Sequence, residues 1–345
     1  MKILLAPDSY KECLSSAQVA AAMASGIRAV LPSCEILSCP LADGGEGTVE
    51  VLVRALGGSL LSKDVTGPLG TPVQAVWGKA GETAFIEVAA ACGLQLIPPE
   101  RRNPLLTGTR GVGELLLEAL EQGCRRIYVG LGGSATCDGG AGMMEVPSLA
   151  EKAERADIRV LCDVDTPFVG EKGAARVFGP QKGASPEQVS LLEDRMVARA
   201  WQILRETEID VADLPGAGAA GGLGGALHAC LGARLVPGIQ EIMELCGFDR
   251  LLEGVSHVIT GEGRSDRQTP AGKVPFGVLR RCGDIPVALV SGAVVDRDIL
   301  KEAGFRDMIQ ATPAGMPLEE ALRPEVAVRN IRQAVIRLLT GRQDA

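Results

Sequence analysis

Short runs of aliphatic or β-branched residues recur along the chain: "KILLA" (2–6), "CEILSCPLA" (34–42), "RRIYVGL" (125–131), "IRVLCDV" (158–164), "SHVITG" (256–261), "PVALVSG" (286–292) and "FRDMIQA" (305–311). Between them, apolar positions fall at helical spacing over 16–31, 48–56, 111–122, 187–207, 238–246, 274–282, 296–303 and 325–340. Strands alternating with helices predict an α/β architecture with largely parallel sheets. Residues 62–92 break the alternation. Their turn-rich, two-residue periodicity around Gly78 and Gly81 predicts antiparallel strands instead.

The first helix carries a start signal. Ser15 followed by Gln18 fits a capping box, and Val19, Met23, Ile27 and Val30 then repeat at helical spacing. Pro32 and the pair Gly57-Gly58 end two early helices. The antiparallel insert points to a second domain beginning near residue 62, and the late strands suit a return to the first sheet. The expected division is a discontinuous domain of residues 1–61 plus 285–345 and a second domain of residues 62–284.

Composition narrows the class. At 345 residues, with 46% hydrophobic and 23% charged residues, the chain has the balance of a globular protein. A net charge of -8 and only 3% aromatic residues argue against nucleic acid or an anionic membrane as partner, while a local basic pocket for a small anion remains open. No leader-like segment and no apolar run of spanning length is visible, so a cytoplasmic protein is expected. Ten scattered cysteines without a CxxC pair, beside two histidines, suit reduced thiols better than a zinc site. The 44 glycines point to tight turns and loops that approach a ligand closely.

Polar, glycine-rich clusters follow five of the predicted strands, where ligands bind in parallel α/β sheets. They are Asp8–Lys11, "ADGGEGT" (42–48), "LGGSATCDGGAG" (131–142), "DVDTP" (163–167) and "GEGRSDRQTPAGK" (261–273). "GLGGSA" (130–135) fits a G-x-G-x-x-A dinucleotide pattern, but alone that is a weak signal, and a turn whose backbone N–H groups hold oxyanions reads ahead of it. "GAGAAGGLGG" (216–225) follows no strand and reads either as anion binding or as close helix packing. Walker A and G-x-S-x-G sequences are absent, His228 and His257 sit in no motif, and Cys137 beside Asp138 has no neighbouring histidine. Carboxylates interleaved with Lys and Arg suit Mg²⁺ and phosphate groups, the ingredients of phosphoryl transfer.

Nine motifs, in order over nearly the whole chain, resemble the bacterial type I glycerate kinases. They are "APDSYKECLS", "PLADGGEGT", "VTGPLG", "RNPLLTGTRGVGE", "GLGGSATCDGGAGM", "CDVDTP", "FGPQKGA", "PGAGAAGGLGGAL" and "TGEGRSDRQTPAGKVP". The resemblance implies ATP- and Mg²⁺-dependent phosphorylation of glycerate (the R, or D, enantiomer), at the 2-hydroxyl, giving 2-phosphoglycerate. It also implies two α/β domains, one Rossmann- or flavodoxin-like with a mainly parallel sheet and one mixed-sheet, restriction-enzyme-like, with the active site in the cleft between them. The chain departs from the family pattern twice. Cys137 replaces the usual asparagine, and the stretch from Met144 to the next strand is shorter by a few tens of residues.

Cluster position and chemistry give the expected roles. The turn Gly132, Gly133, Ser134, Ala135 and Thr136 would cradle the ATP phosphates with Lys182 or Lys273. Carboxylates among Asp163, Asp165 and Glu262 would hold Mg²⁺. Arg264 or Lys11 would meet the glycerate carboxylate, and Asp8, Asp43 or Asp165 would take the hydroxyl proton. Three alternatives stay open: transfer to the 3-hydroxyl, a dinucleotide-dependent hydroxy-acid oxidoreductase, and a nucleotide-binding protein without catalysis.

Overall fold

The structure is a computed structural model, and it describes residues 1–341. The chain divides into two compact units, residues 1–43 with 239–345 and residues 44–238.

The first unit is built on a five-stranded sheet, in which the strands Asp307–Gln310, Val287–Ser291, His257–Thr260, Lys2–Leu5 and Glu35–Ser38 lie side by side in that order. Every pairing is parallel. This is the flavodoxin-like order, and its switch point lies between Lys2–Leu5 and His257–Thr260, where the chain turns from one side of the sheet to the other. Ile3, Leu4 and Leu5 are all buried, as expected of a central parallel strand covered on both faces. The helix Ser16–Val30 begins at the capping box read from the sequence: Gln18 N–H donates to Ser15 Oγ and Ser15 N–H to Gln18 Oε1. It packs on Pro324–Thr340 so tightly that a Cβ on Gly26 would lie 2.8 Å from the Arg332 carbonyl oxygen.

The second unit holds a six-stranded mixed sheet in the order Ser59–Thr66, Pro72–Ala80, Thr83–Glu87, Arg126–Gly130, Asp157–Leu161, Arg234–Val236. The first two pairings are antiparallel and the rest parallel, so the turn around Gly81 does close an antiparallel hairpin. Its core gathers Trp77, Ile86, Val112, Leu116, Val129 and Phe168.

The unit boundaries differ from those expected from the sequence, 61/62 and 284/285. The helix Thr48–Ala55 belongs to the second unit because it lies over Gly78, where an added Cβ would fall 2.3 Å from Val53 Cγ2. His257–Thr260 and the motif that follows belong to the first unit, because that strand pairs with Lys2–Leu5 and Val287–Ser291. The glycine-rich 216–225 stretch opens a helix, Ala219–Leu231, with left-handed backbone at Ala220, Gly221 and Gly222. A Cβ on Gly221 would sit 2.0 Å from the Thr136 carbonyl oxygen, so glycine there permits close packing. Among the described residues no helix is long and apolar enough to cross a membrane, and none of the ten cysteines forms a disulfide.

Candidate active site

At the switch point of the first sheet, three strand ends are drawn together. Ala6 N–H donates to the Ile259 carbonyl (2.9 Å) and Asp8 N–H to the Gly261 carbonyl (2.8 Å), so the segment leaving the first strand runs beside the one leaving His257–Thr260. The Tyr10 hydroxyl donates to the Val290 carbonyl (3.1 Å) and ties both to the third strand. A Cβ on Gly261 would lie 1.7 Å from that same Val290 oxygen, so only glycine lets the segments approach this closely.

The convergence leaves a cavity of about 640 Å³, within the range of small-molecule sites. Asp8, Lys11, Asp43, Glu262, Arg264 and Lys273 all line it. Six residues from three strand-end clusters thus meet in one place. The wall after Gln310, formed by residues 312–316 with Leu318, Ala321 and Leu322, was not singled out in the sequence, because a loop and a one-turn helix are too short to show periodicity.

Burial and the neighbouring Asp43 charge push the Asp8 carboxyl up to about 8; the Ser9 N–H, which donates to Asp8 Oδ1 at 2.6 Å, and Lys11 act against this. Lys11 Nζ lies 3.9 Å from Asp43 Oδ2. Burial also raises Glu262, but its carboxylate is well held. Thr269 Oγ1 (2.7 Å) and Ser265 Oγ (3.0 Å) donate to Oε1, and Lys273 Nζ lies 3.3 Å from Oε2. Because Ser265 donates to the carboxylate, the 2.8 Å bond between the two serine hydroxyls is donated by Ser291. The guanidinium of Arg264 is largely exposed and pairs with Asp266 at 3.2 Å. This arrangement can bind an anionic substrate, place cations on phosphates and take up a proton near neutral pH.

The other expected site residues lie in the second unit, where most of their polar groups are committed to partners within that unit. Lys182, expected to hold phosphates, is only 3% exposed. Its ammonium donates to Ser134 Oγ (3.0 Å) and to the Thr136 carbonyl (2.6 Å), bracing the turn from inside. Burial lowers its pKa. Ala135 N–H donates to the Cys92 carbonyl (2.8 Å) and Gly132 N–H points to the Gly44 carbonyl (3.5 Å), so two of the turn's donors are committed within the unit. Leu94 N–H in turn donates to the Gly133 carbonyl (2.9 Å). Asp138 accepts from Thr109 N–H and Oγ1 (2.9 Å each) and from the N–H groups of Gly140 and Gly142 (3.1 Å each), clasping two motifs together. Asp163 accepts from Gly238 N–H at 2.8 Å, and Asp165 is exposed on the loop after Asp157–Leu161. Asp163 and Glu262 belong to different units.

Glu87 was missed in the sequence. At the end of Thr83–Glu87 it accepts from Val49 N–H (2.8 Å), supporting the turn of the "GGEGT" motif, and burial pushes its carboxyl up to about 7. Only the pairing of residues 38 apart in sequence reveals it.

Comparison with known proteins gives consistent matches. The model of the "Glycerate kinase family" matches residues 3–146 and 144–340. A "Glycerate 2-kinase" of Escherichia coli K12 is 42% identical, over 94% of this chain and 93% of its own length. A "Glycerate kinase" of Bacillus subtilis 168 is 41% identical over 93% of each. A crystal structure from Salmonella typhimurium LT2, assigned as a glycerate kinase 2, superposes with a TM-score of 0.81 at 39% identity, over 99% of this chain and 98% of that one. The two matched stretches of the family model meet at residues 144–146, where the chain reads shorter than the family pattern. The strand beyond, Asp157–Leu161, keeps full parallel register with Arg126–Gly130.

Proposed function

The chain belongs to the glycerate kinase family, and from that premise we propose that it transfers the terminal phosphoryl group of ATP to the 2-hydroxyl of D-glycerate, giving 2-phosphoglycerate. The observation that carries this reading is the cavity at the sheet's switch point, where four carboxylates, Glu12 among them, and three cations meet. Asp8 accepts the hydroxyl proton as the new P–O bond forms and the bond to the ADP oxygen breaks. Its raised pKa suits a base that works near neutrality. Arg264 and Lys11 face the glycerate carboxylate, and Lys273 faces the phosphates.

Among the described residues no group of three or more Asp, Glu, His or Cys is arranged to hold a metal by protein ligands alone. Mg²⁺ bound with a nucleotide needs only one or two carboxylates besides phosphate oxygens. Asp43 and Glu262 offer such hard donors, and both also raise Asp8 by their charge, an excess of negative potential that a divalent cation would offset. When bound, Mg²⁺ would neutralise charge on the phosphates.

The test is to incubate the protein with Mg-ATP and D-glycerate and identify the product by phosphorus NMR. A 2-phosphoglycerate signal is expected. A 3-phosphoglycerate signal corrects the position, and consumption of nicotinamide cofactor at 340 nm in place of either would replace the kinase with an oxidoreductase.

A further inference from the structure

The cavity reaches well beyond its charged residues. It spans the carboxyl ends of the strands from Lys2–Leu5 to Asp307–Gln310, three strand spacings or about 14 Å. That is the scale of an extended nucleoside triphosphate, and several times that of a three-carbon acid. Asp8, Lys11 and Glu262 follow the central strands, whereas beyond Gln310 and Thr312 the wall that follows the edge strand is apolar. It is formed by Pro313, Ala314, Met316, Leu318, Ala321 and Leu322.

This wall is fixed in place. The Gln310 side chain accepts from Val294 N–H (3.2 Å) and donates to the Thr312 carbonyl (2.9 Å), while Thr312 N–H donates to the Gly292 carbonyl (3.1 Å). Asn330 Nδ2 reaches Met316 Sδ at 3.4 Å and anchors the far side. Leu318 is nevertheless 73% exposed, a large apolar side chain left uncovered beside a cavity. An apolar surface continuous with a phosphate-handling end suits a flat heteroaromatic base.

Resting on the kinase reading, we propose that Met316, Leu318, Ala321 and Leu322 form the subsite for the base of the nucleotide. Its phosphates then run across the strand ends towards Lys273 and Lys11. The subsite lies wholly within the first unit and makes no use of the glycine-rich turn at 132–136.

Photolabelling with 8-azido-ATP and Mg²⁺, followed by tryptic peptide mapping, tests this without turnover. Saturable label, displaced by ATP, is expected on the peptide of residues 307–329. Label on residues 127–152, or no saturable label in protein that phosphorylates glycerate, overturns the subsite. Steady-state kinetics give a second arm with two variants. Leu318→Ala removes an exposed side chain, so folding is not at stake, and Ala321→Trp fills the slot. Each should raise the KM for ATP roughly fivefold to tenfold and leave the KM for glycerate within about twofold. An unchanged KM for ATP in both overturns the proposal. If the wild type makes no phosphoglycerate, the kinase reading fails, and the peptide map still decides where a nucleotide sits.

Discussion

Acid-bearing, glycine-rich loops follow strands in both units, yet they direct their polar groups oppositely. In the second unit, Asp138 accepts four hydrogen bonds from its own neighbourhood and Lys182 is enclosed between Ser134 and Thr136. In the first unit, Asp8, Lys11, Asp43 and Lys273 line open space. The two kinds of loop look alike in sequence. What separates them is whether a neighbouring segment supplies donors and acceptors from inside. A buried polar group satisfied within the fold stabilises it, whereas one facing a cavity keeps its capacity for a ligand.

Substitutions in the two regions should therefore fail in different ways. The largest effect is expected for Asp8→Asn, which removes the proton acceptor: kcat falls about 10²–10⁴-fold. Its stability should move the other way. A carboxyl raised from 3.8 to about 8 in the fold carries no penalty below pH 4, an increasing one as pH rises from 4 to 8, and the full one above 8. Thermal unfolding of Asp8→Asn should accordingly show a higher Tm than wild type at pH 9 and no gain at pH 4. Next comes Asp138→Ala, which strips four hydrogen bonds from buried backbone and hydroxyl donors. A loss of about 2–4 kcal/mol, or a Tm lower by roughly 5–15 °C, is expected by calorimetry.

Lys182→Met should cost about 1–3 kcal/mol in stability, by leaving Ser134 and Thr136 unpartnered, while the KM for ATP stays within about twofold. A KM raised tenfold with stability unchanged would return the phosphates to the 132–136 turn and dissolve the contrast. The smallest effect is expected for Lys273→Met. The KM for ATP should rise about tenfold, equivalent to 1.4 kcal/mol, with a modest fall in Tm because the buried Glu262 carboxylate loses its ion-pair partner.

Much of this was legible in the chain where the signal is local. The Ser15–Gln18 capping box and the strands' apolar runs each lie within a few residues, and the structure shows them at the expected positions. The six cavity residues were legible because carboxylates and cations cluster after strands. Sheet membership was not legible. The helix Thr48–Ala55 joins the second unit through a gap above Gly78, and His257–Thr260 joins the first by pairing with a strand more than 250 residues earlier. Lys182 read as a phosphate ligand because a lysine among glycines looks exposed; nothing in "FGPQKGA" tells that Ser134 and Thr136 enclose it. Of the two readings of 216–225, the structure shows the helix: Ala219–Leu231 carries glycines that helix propensity disfavours, but at Gly221 close packing against Thr136 requires one.

The discontinuity of the first unit also orders events during synthesis. Lys2–Leu5 is an inner strand of its sheet, and one of its two pairing partners, His257–Thr260, lies beyond the entire second unit. At about 5–20 residues per second, the ribosome delivers residues 44–238 over roughly ten to forty seconds. Throughout that interval the apolar amino-terminal strand has emerged with one edge unmatched, while the second unit has all of its own strands to hand. The second unit thus has all of its strands before the sheet of the first unit can close.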